Sequence, residues 1–226
     1  MATDARVPEA LAWLEKQGSK KVREEALTRY GITAPQSYGV RMGDIQALAK
    51  ALGRDHELAA QLWDTGWYEA RLLCAYVDDP AKVTVAQMNR WAKDFDNWGI
   101  CDTVCFKLFD SVPGAWSRIE PWSKAKPEFV KRSAFALLAC MALHGKATEA
   151  QLRQGLALCE KAATDERNFV KKSVSWALRS IGGRSKALHK ATSDVATRLA
   201  ASKDSTARAI GKEALRDLNK SKARLK

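Results

Sequence analysis

The chain has 226 residues, of which 46% are hydrophobic and 28% are charged. This composition is typical of a folded globular protein and excludes an intrinsically disordered chain. The formal net charge is +12 at pH 7. A basic surface is compatible with simple solubility, but an excess of this size more often indicates a polyanionic partner, of which nucleic acid is the commonest.

Residues 1–8 contain no apolar segment, so we expect no secretory signal. No stretch approaches the roughly 18 uninterrupted apolar residues of a membrane span. The five cysteines are an odd number and lie in apolar helical segments, so we expect buried free thiols in a reducing cytoplasm. Cys101 and Cys105 share a helix face, but no histidine or acidic cluster completes a tetrahedral set. We therefore expect neither a metal nor a cofactor.

Helical periodicity runs through nearly the whole chain, and no alternating strand pattern of useful length is present. Gly31 closes the second predicted helix, and Pro80 ends the fifth. The stretch 111–126 is rich in proline and is expected to hold only short, irregular helical turns. The predicted helices span residues 8–16, 20–30, 41–52, 56–66, 68–78, 83–94, 98–110, 127–144, 148–163, 167–181, 185–200 and 204–219. The fold class is therefore all-α.

A five-residue segment recurs after 40 residues, since Phe-Val-Lys-Arg-Ser at 129–133 returns as Phe-Val-Lys-Lys-Ser at 169–173. A period of this size with two helices per unit is the signature of HEAT-like solenoids. Weaker copies begin at Tyr68, Gly99 and Ser205. Each copy is predicted to open the second helix of a pair.

We predict a single domain over residues 1–219, a HEAT-like repeat α-solenoid of antiparallel helix pairs with a concave basic face. Residues 220–226 form a basic tail that is expected to be disordered. The starts of the second helices are expected to line the concave surface together.

Five charged residues occupy one corresponding position in these helix starts, namely Arg71, Asp102, Arg132, Lys172 and Arg208. Four cations suit a groove that follows a phosphate backbone. The carboxylate of Asp102 weakens the attraction for a polyanion. It either pairs with Arg71 or Arg132 and orients them, or it is a reactive group that faces bound nucleic acid.

The helix predicted from residue 98 has a small, defined polar site at its start. Asn97 is a plausible N-cap, and Trp98 and Asp102 are four residues apart, so they lie on the same side of the helix. An indole and a carboxylate are therefore held side by side.

Four features follow one another along the chain: Tyr38-Gly39-Val40-Arg41, Asn97-Trp98 with Asp102, Lys131-Arg132-Ser133-Ala134, and the helix with Trp176 and Arg179. In this order and on HEAT-like pairs, the sequence resembles the AlkD-type DNA alkylation repair family, which are monofunctional DNA glycosylases built from HEAT-like repeats. The resemblance covers most of the chain, from Tyr38 to Arg179.

The resemblance implies hydrolysis of the N-glycosidic bond of cationic N3- and N7-alkylated purines in double-stranded DNA. In the family a catalytic aspartate and two tryptophans lie at the concave face, and these roles fall on Asp102, Trp98 and Trp176. The family leaves the damaged base stacked, whereas most base-modifying enzymes extrude it. The cations expected to bind DNA are Arg71, Arg132, Lys172, Arg179 and Arg208.

The sequence differs from the family pattern at Gly99, where well-known members carry an acidic residue, and this bears on substrate range. One alternative is a non-enzymatic HEAT-like protein that binds damaged or distorted duplex DNA, with Asp102 structural. Another is a scaffold for an acidic protein, which does not account for Trp98, Asp102 and Trp176 together. We expect a monomer that does not associate with membranes, located in the cytoplasm and at the nucleoid when it acts on DNA.

Overall fold

The computed structural model describes residues 4–221. The chain divides into two compact units, here called unit 1 (Met1–Pro113) and unit 2 (Gly114–Lys226). The regular elements of the described residues are helices, without strands, and this confirms the all-α prediction.

The helices of unit 1 are ten residues long on average, and side-chain caps define several of their starts. Asp55, Thr84 and Asn97 each accept a hydrogen bond from the backbone N–H three residues later. Gly31 ends the second helix in the left-handed conformation that glycine tolerates, with φ of 62°. In chain order the helices are α1 (Arg6–Lys16), α2 (Lys20–Tyr30), α3 (Met42–Leu52), α4 (His56–Asp64), α5 (Tyr68–Val77), α6 (Val85–Lys93) and α7 (Trp98–Lys107).

In unit 1, α5 is the central element. It packs against α3 on one side and α7 on the other, while α4 packs beside it as the first helix of its pair. Helix α6 joins the core through Trp91, whose ring stacks on Trp63 of α4 with centroids 4.0 Å apart. Both tryptophans are buried. The stacked tryptophans therefore fill the space between α4 and α6, the first helices of their pairs. Helices α3, α5 and α7 form a row.

Except for the first, which is short, the helices of unit 2 are longer and have 14 to 17 residues. Thr148 and Gln151 form a reciprocal capping box at the start of the helix from Glu149, and Ser185 caps the helix that begins at Lys186. In chain order the helices are α8 (Ile119–Ser123), α9 (Glu128–Leu143), α10 (Glu149–Ala162), α11 (Asn168–Gly182), α12 (Lys186–Ala200) and α13 (Ser205–Ser221).

The second helices of unit 2 also form a row, in which α11 packs between α9 and α13. Helix α9 is buried on almost all sides from Arg132 to Ala142, because α8, α10 and α11 all pack against it. The repeated five-residue segments open α9 and α11, and the weaker copies open α5, α7 and α13. The structure therefore confirms the predicted HEAT-like helix pairs within each unit.

Some boundaries differ from the predicted ones. Helix α1 begins at Arg6, two residues before Pro8, because proline is tolerated in the first turn, where its N–H is not needed. Helix α7 ends at Lys107, and the chain continues as a 3₁₀ turn at Phe109–Ser111. A second 3₁₀ turn at Ala115–Arg118 and the short α8 fill most of the proline-rich stretch. Helix α13 continues to Ser221, and the rest of the predicted tail lies outside the described residues.

All five cysteines are buried free thiols, as predicted. Within residues 4–221 no helix has both the length and the apolar character that crossing a membrane requires.

Candidate active site and nucleic-acid interface

Trp98 and Asp102 lie one turn apart at the start of α7 and border the same open cavity of unit 1, which has a volume of about 400 Å³. Asn97 caps this helix by accepting a hydrogen bond from the N–H of Ile100 at 3.0 Å, so the sequence-predicted N-cap is confirmed. The indole Nε1 of Trp98 donates to the carbonyl oxygen of Tyr30 at 2.9 Å. This bond fixes the plane of a half-buried ring that borders the cavity.

The cavity is walled by α2, the segment 37–42 and the starts of α5 and α7. Apolar side chains form most of its inner surface, among them Val22, Ala26, Ile32 and Leu72. An apolar wall beside Asp102 lowers the local dielectric and strengthens any interaction of its carboxylate with a cation.

Glu69, the second residue of α5, holds the segment 37–40 in place. It is only 1% exposed. Its carboxylate accepts from the hydroxyl of Ser37 at 2.7 Å and from the backbone N–H groups of Gly39 at 2.8 Å, Tyr38 at 3.1 Å and Val40 at 3.3 Å. A buried carboxylate is costly unless such donors surround it, and here four donors offset the cost.

Sequence reasoning missed Glu69. The signal was present, because a glutamate falls on the inward side of a helix start whose neighbours Ala70, Leu72 and Leu73 are apolar. Gly39 is required in the same segment for two reasons. Its φ is 78°, and a Cβ there would overlap the carbonyl oxygen of Ser19 at 2.2 Å.

Arg71 lies on α5 within the aromatic cluster of unit 1. Its guanidinium carbon is 5.1 Å from the ring centroid of Trp63, and its Nη1 donates to the carbonyl oxygen of Asp94 at 3.2 Å. The side chain borders a second cavity of unit 1, of about 310 Å³, together with Asp96 and Asn97.

The other predicted site residues belong to unit 2. Arg132 is 6% exposed, and its Nη1 donates to the carbonyl oxygen of Phe169 at 2.7 Å. Arg208 donates from Nη1 to the carbonyl oxygens of Ser202 and Lys203 at 2.9 and 3.1 Å. These two guanidinium groups therefore stabilise the starts of helices α11 and α13.

Helix α11 carries the remaining three predicted residues. Lys172 is exposed, and Trp176 is half-buried one turn later on the same side. Arg179 pairs with Asp217 of α13 at 3.3 Å and donates from Nε to the carbonyl oxygen of Ser175. Lys172 borders a cavity of about 410 Å³ at the start of α13, where Ser205 and Thr206 also lie.

The predicted residues thus fall into two groups. Trp98 and Asp102 come together at one cavity of unit 1, and Arg71 borders the other. Trp176, Lys172 and Arg179 share one helix of unit 2, with Arg132 and Arg208 on the helices beside it. Their assigned roles in catalysis and DNA binding stay predictions.

Comparison with solved structures identifies a similar fold over nearly the whole chain. A protein described as one of a new family related to the HEAT-like repeat DNA glycosylases, with affinity for branched DNA structures, has a TM-score of 0.76 at 17% identity, covering 93% of this chain and 94% of that one. A designed armadillo repeat protein in complex with a (KR)4 peptide has a TM-score of 0.40 at 11% identity, covering 93% of this chain and 88% of that one. No match was found among curated proteins.

A protein-family model matches nearly the whole chain. The model of the DNA alkylation repair enzyme family matches residues 11–219, which include every predicted site residue and all thirteen α-helices of the described residues except the ends of the first and last. Together with the HEAT-like helix pairs, this match shows that the chain belongs to the DNA alkylation repair enzyme family.

Proposed function

We propose that this protein is a monofunctional DNA glycosylase that removes cationic N3- and N7-alkylated purines from double-stranded DNA. The observation that carries the proposal is the position of Trp98 and Asp102 one turn apart at the same open cavity. Membership of the DNA alkylation repair enzyme family supports it.

The chemistry needs an ionised carboxylate more than it needs an acid. An N3- or N7-alkylated purine already carries a positive charge, so it leaves without protonation. Breaking its bond to C1′ leaves positive charge on the deoxyribose, and a carboxylate held close by stabilises that oxocarbenium-like state. Asp102 performs this role and orients the water that attacks C1′. The products are the free base and an abasic site.

Trp98 binds the cationic lesion or sugar through the face of its indole. Cation–π attraction of this kind contributes about 0.5–2 kcal/mol, and the hydrogen bond to Tyr30 holds the ring before substrate arrives. The preformed geometry lowers the entropy lost on binding. Trp176 has the corresponding face on α11, and we propose the same type of contact for it.

The cations supply the affinity for the DNA backbone. Lys172 is exposed and can bind a phosphate directly. Arg71, Arg132, Arg179 and Arg208 already donate to protein oxygens, so we propose that they contribute mainly through the positive field at the helix starts.

The alternative function is binding without catalysis, in which the protein recognises damaged or distorted duplex DNA and Asp102 is structural. The solved relative with a TM-score of 0.76 belongs to proteins with affinity for branched DNA structures, so this alternative has a specific basis.

The two functions are separated by a single-turnover assay on a duplex that contains one 7-methylguanine, with base release and duplex affinity measured in parallel. We expect the wild-type protein to release the base and Asp102→Asn to be slower by at least about 100-fold, since the charge is lost and the shape is kept. The variant should bind the duplex as tightly as the wild type or slightly tighter, because it carries one negative charge less.

Glu25→Gln is the matched control. Glu25 is an exposed carboxylate at the same cavity, and its neutralisation changes the net charge equally. We expect near wild-type base release from this variant. Binding of the duplex without base release by the wild type would instead establish the non-enzymatic alternative.

A further inference from the structure

Tyr68, the first residue of α5, occupies a position between the two cavities of unit 1 and borders both of them. Its backbone N–H donates to the carbonyl oxygen of Gln36 at 2.9 Å, which fixes the start of the helix. The ring is half-buried. Its hydroxyl, however, makes no hydrogen bond to any other residue among those the structure describes. The donor of this hydroxyl is therefore available to a molecule that enters either cavity.

Gly99 of α7 makes room for the Tyr68 hydroxyl. A Cβ added at Gly99 would lie 2.7 Å from Tyr68 Oη, closer than two such atoms approach, and 3.1 Å from Cδ1 of Ile32. The φ of Gly99 is not positive, so backbone conformation does not call for glycine here. Glycine is needed at this position because it leaves space for the phenol of Tyr68. The residue that departs from the family pattern is therefore the one that brings a hydroxyl against the turn joining Trp98 to Asp102.

Two kinds of polar group at this cavity are less suited to hold a small molecule in place, because they are already hydrogen-bonded or lie exposed. The Glu69 carboxylate is an acceptor, and it is occupied by the four donors of the segment 37–40. Arg41 and Glu25 are exposed. Burial, followed by the negative charges of Glu69 and Asp96, raises the pKa of Tyr68 well above its ordinary value. The phenol thus stays protonated at neutral pH and keeps its donor.

We propose that Tyr68 is a positioning residue of the unit 1 site, and that its hydroxyl donates a hydrogen bond to the water that attacks the sugar beside Asp102. This inference rests on the proposed glycosylase function. One lone pair of the water accepts from Tyr68, and the other points at C1′. As the C–O bond forms, the bond from C1′ to the purine breaks, and its electron pair neutralises the cationic base. The proton released by the water passes to Asp102.

The test is Tyr68→Phe, measured on the duplex with a single 7-methylguanine. Removing one preorganised donor should lower the single-turnover rate of base release about 10- to 100-fold, with duplex affinity and Tm unchanged. Tyr76→Phe is the matched control, since Tyr76 lies on the same helix but its hydroxyl bonds to Gln46 and Met42 instead. It should retain the wild-type rate.

A second pair of variants separates positioning from packing. Gly99→Ala should lower both Tm and rate, because the new methyl group displaces the phenol. Adding Tyr68→Phe to Gly99→Ala removes the closest clash, so Tm should rise again while the rate stays low. A loss of rate that follows Tm through all four proteins would show a purely structural role and overturn the proposal.

The outcomes also distinguish this inference from the proposed function. If the wild type and Tyr68→Phe release base at the same rate, the protein is still a glycosylase, but Tyr68 does not position the water. A wild-type protein that releases no base at all overturns both.

Discussion

The second helices of the two units begin in different surroundings. In unit 2 the starts of α9 and α11 contact each other, with the rings of Phe129 and Phe169 5.2 Å apart and the N–H of Phe169 donating to Glu128 at 3.0 Å. In unit 1 the starts of α5 and α7 border two cavities, of about 400 and 310 Å³. One kind of helix pairing thus gives closed contact between the starts of α9 and α11, but open space at the starts of α5 and α7, as also at the start of α13.

The difference teaches where a repeat protein of this kind has polar groups left for a ligand. At the closed starts of unit 2, Arg132 already donates to a backbone carbonyl. At the open starts of unit 1, the side chains of Trp98 and Tyr68 border a cavity, and the Tyr68 hydroxyl is unused. Where helix starts do not fill each other's space, their side chains are available for chemistry.

The open region of unit 1 depends on Glu69, so its removal is the largest effect we expect. Glu69→Gln should lower the free energy of unfolding by about 2–4 kcal/mol, because an amide has one acceptor oxygen and turns an N–H₂ toward buried donors. Denaturant titration measures the loss. Hydrogen exchange should locate it at the amides of Tyr38, Gly39 and Val40. Unchanged protection of these amides would mean that the segment is held by other contacts.

The closed region of unit 2 depends on an ion-pair network, and its loss should be smaller. Asp165 lies 2.9 Å from Lys131 and 2.6 Å from Arg167, and their hydrogen bonds, with that of Arg167 the larger, hold the pKa of Asp165 well below its usual range. A lowered pKa stabilises the folded state above the unfolded value, about 3.9, and this stabilisation disappears as the pH falls through the folded value. Asp165→Asn should therefore cost about 1–2 kcal/mol at pH 7.

The pH dependence is the decisive part of that experiment. The difference in unfolding free energy between wild type and Asp165→Asn should shrink steadily below pH 4. Asp194→Asn provides the control, because Asp194 is exposed and pairs with Lys190 one turn away on α12. A pH-independent cost of Asp165→Asn would assign the effect to the hydrogen bonds alone.

Lys172 should have the smallest effect on folding and a specific effect on binding. It is exposed, so Lys172→Ala should change the unfolding free energy by less than about 0.5 kcal/mol. If it binds a phosphate, the slope of log affinity against log salt should fall by about 1. The control is Lys186→Ala. Lys186 is also exposed but lies on α12, and its substitution should leave the slope unchanged. Equal slopes for the two variants would show that Lys172 contributes only to the general positive field of the protein surface.

Helix positions were largely predictable because local signals define them. Helix α2 was predicted as residues 20–30 and is found there, since Gly31 ends it in a left-handed conformation. The end of α7 was placed three residues too late. At Leu108 the φ of −131° leaves the helical region, and the chain tightens into a 3₁₀ turn that apolar periodicity does not distinguish from helix.

The candidate site was predictable only in part. The spacing of Trp98 and Asp102 follows from helical geometry alone, and the structure puts both at one cavity. Glu69 and Tyr68 were missed because their importance arises from partners about 30 residues away, the segment 37–40 and Gly99. A glutamate on an apolar helix side is a signal of a buried carboxylate, but sequence spacing does not identify the partners of Glu69 or Tyr68.

The sequence by itself determined the all-α class, the HEAT-like pairing and the one-turn relation of Trp98 to Asp102, since these depend on periodicity, caps and repeats within a few turns of chain. Only the tertiary structure decided which polar groups form hydrogen bonds within the protein and which remain available to a ligand. Arg132 and Lys172 occupy the same place in the repeat, yet one is buried against a carbonyl and the other is exposed. Burial and hydrogen bonding are set by what packs across a helix start, and that is a property of the folded chain.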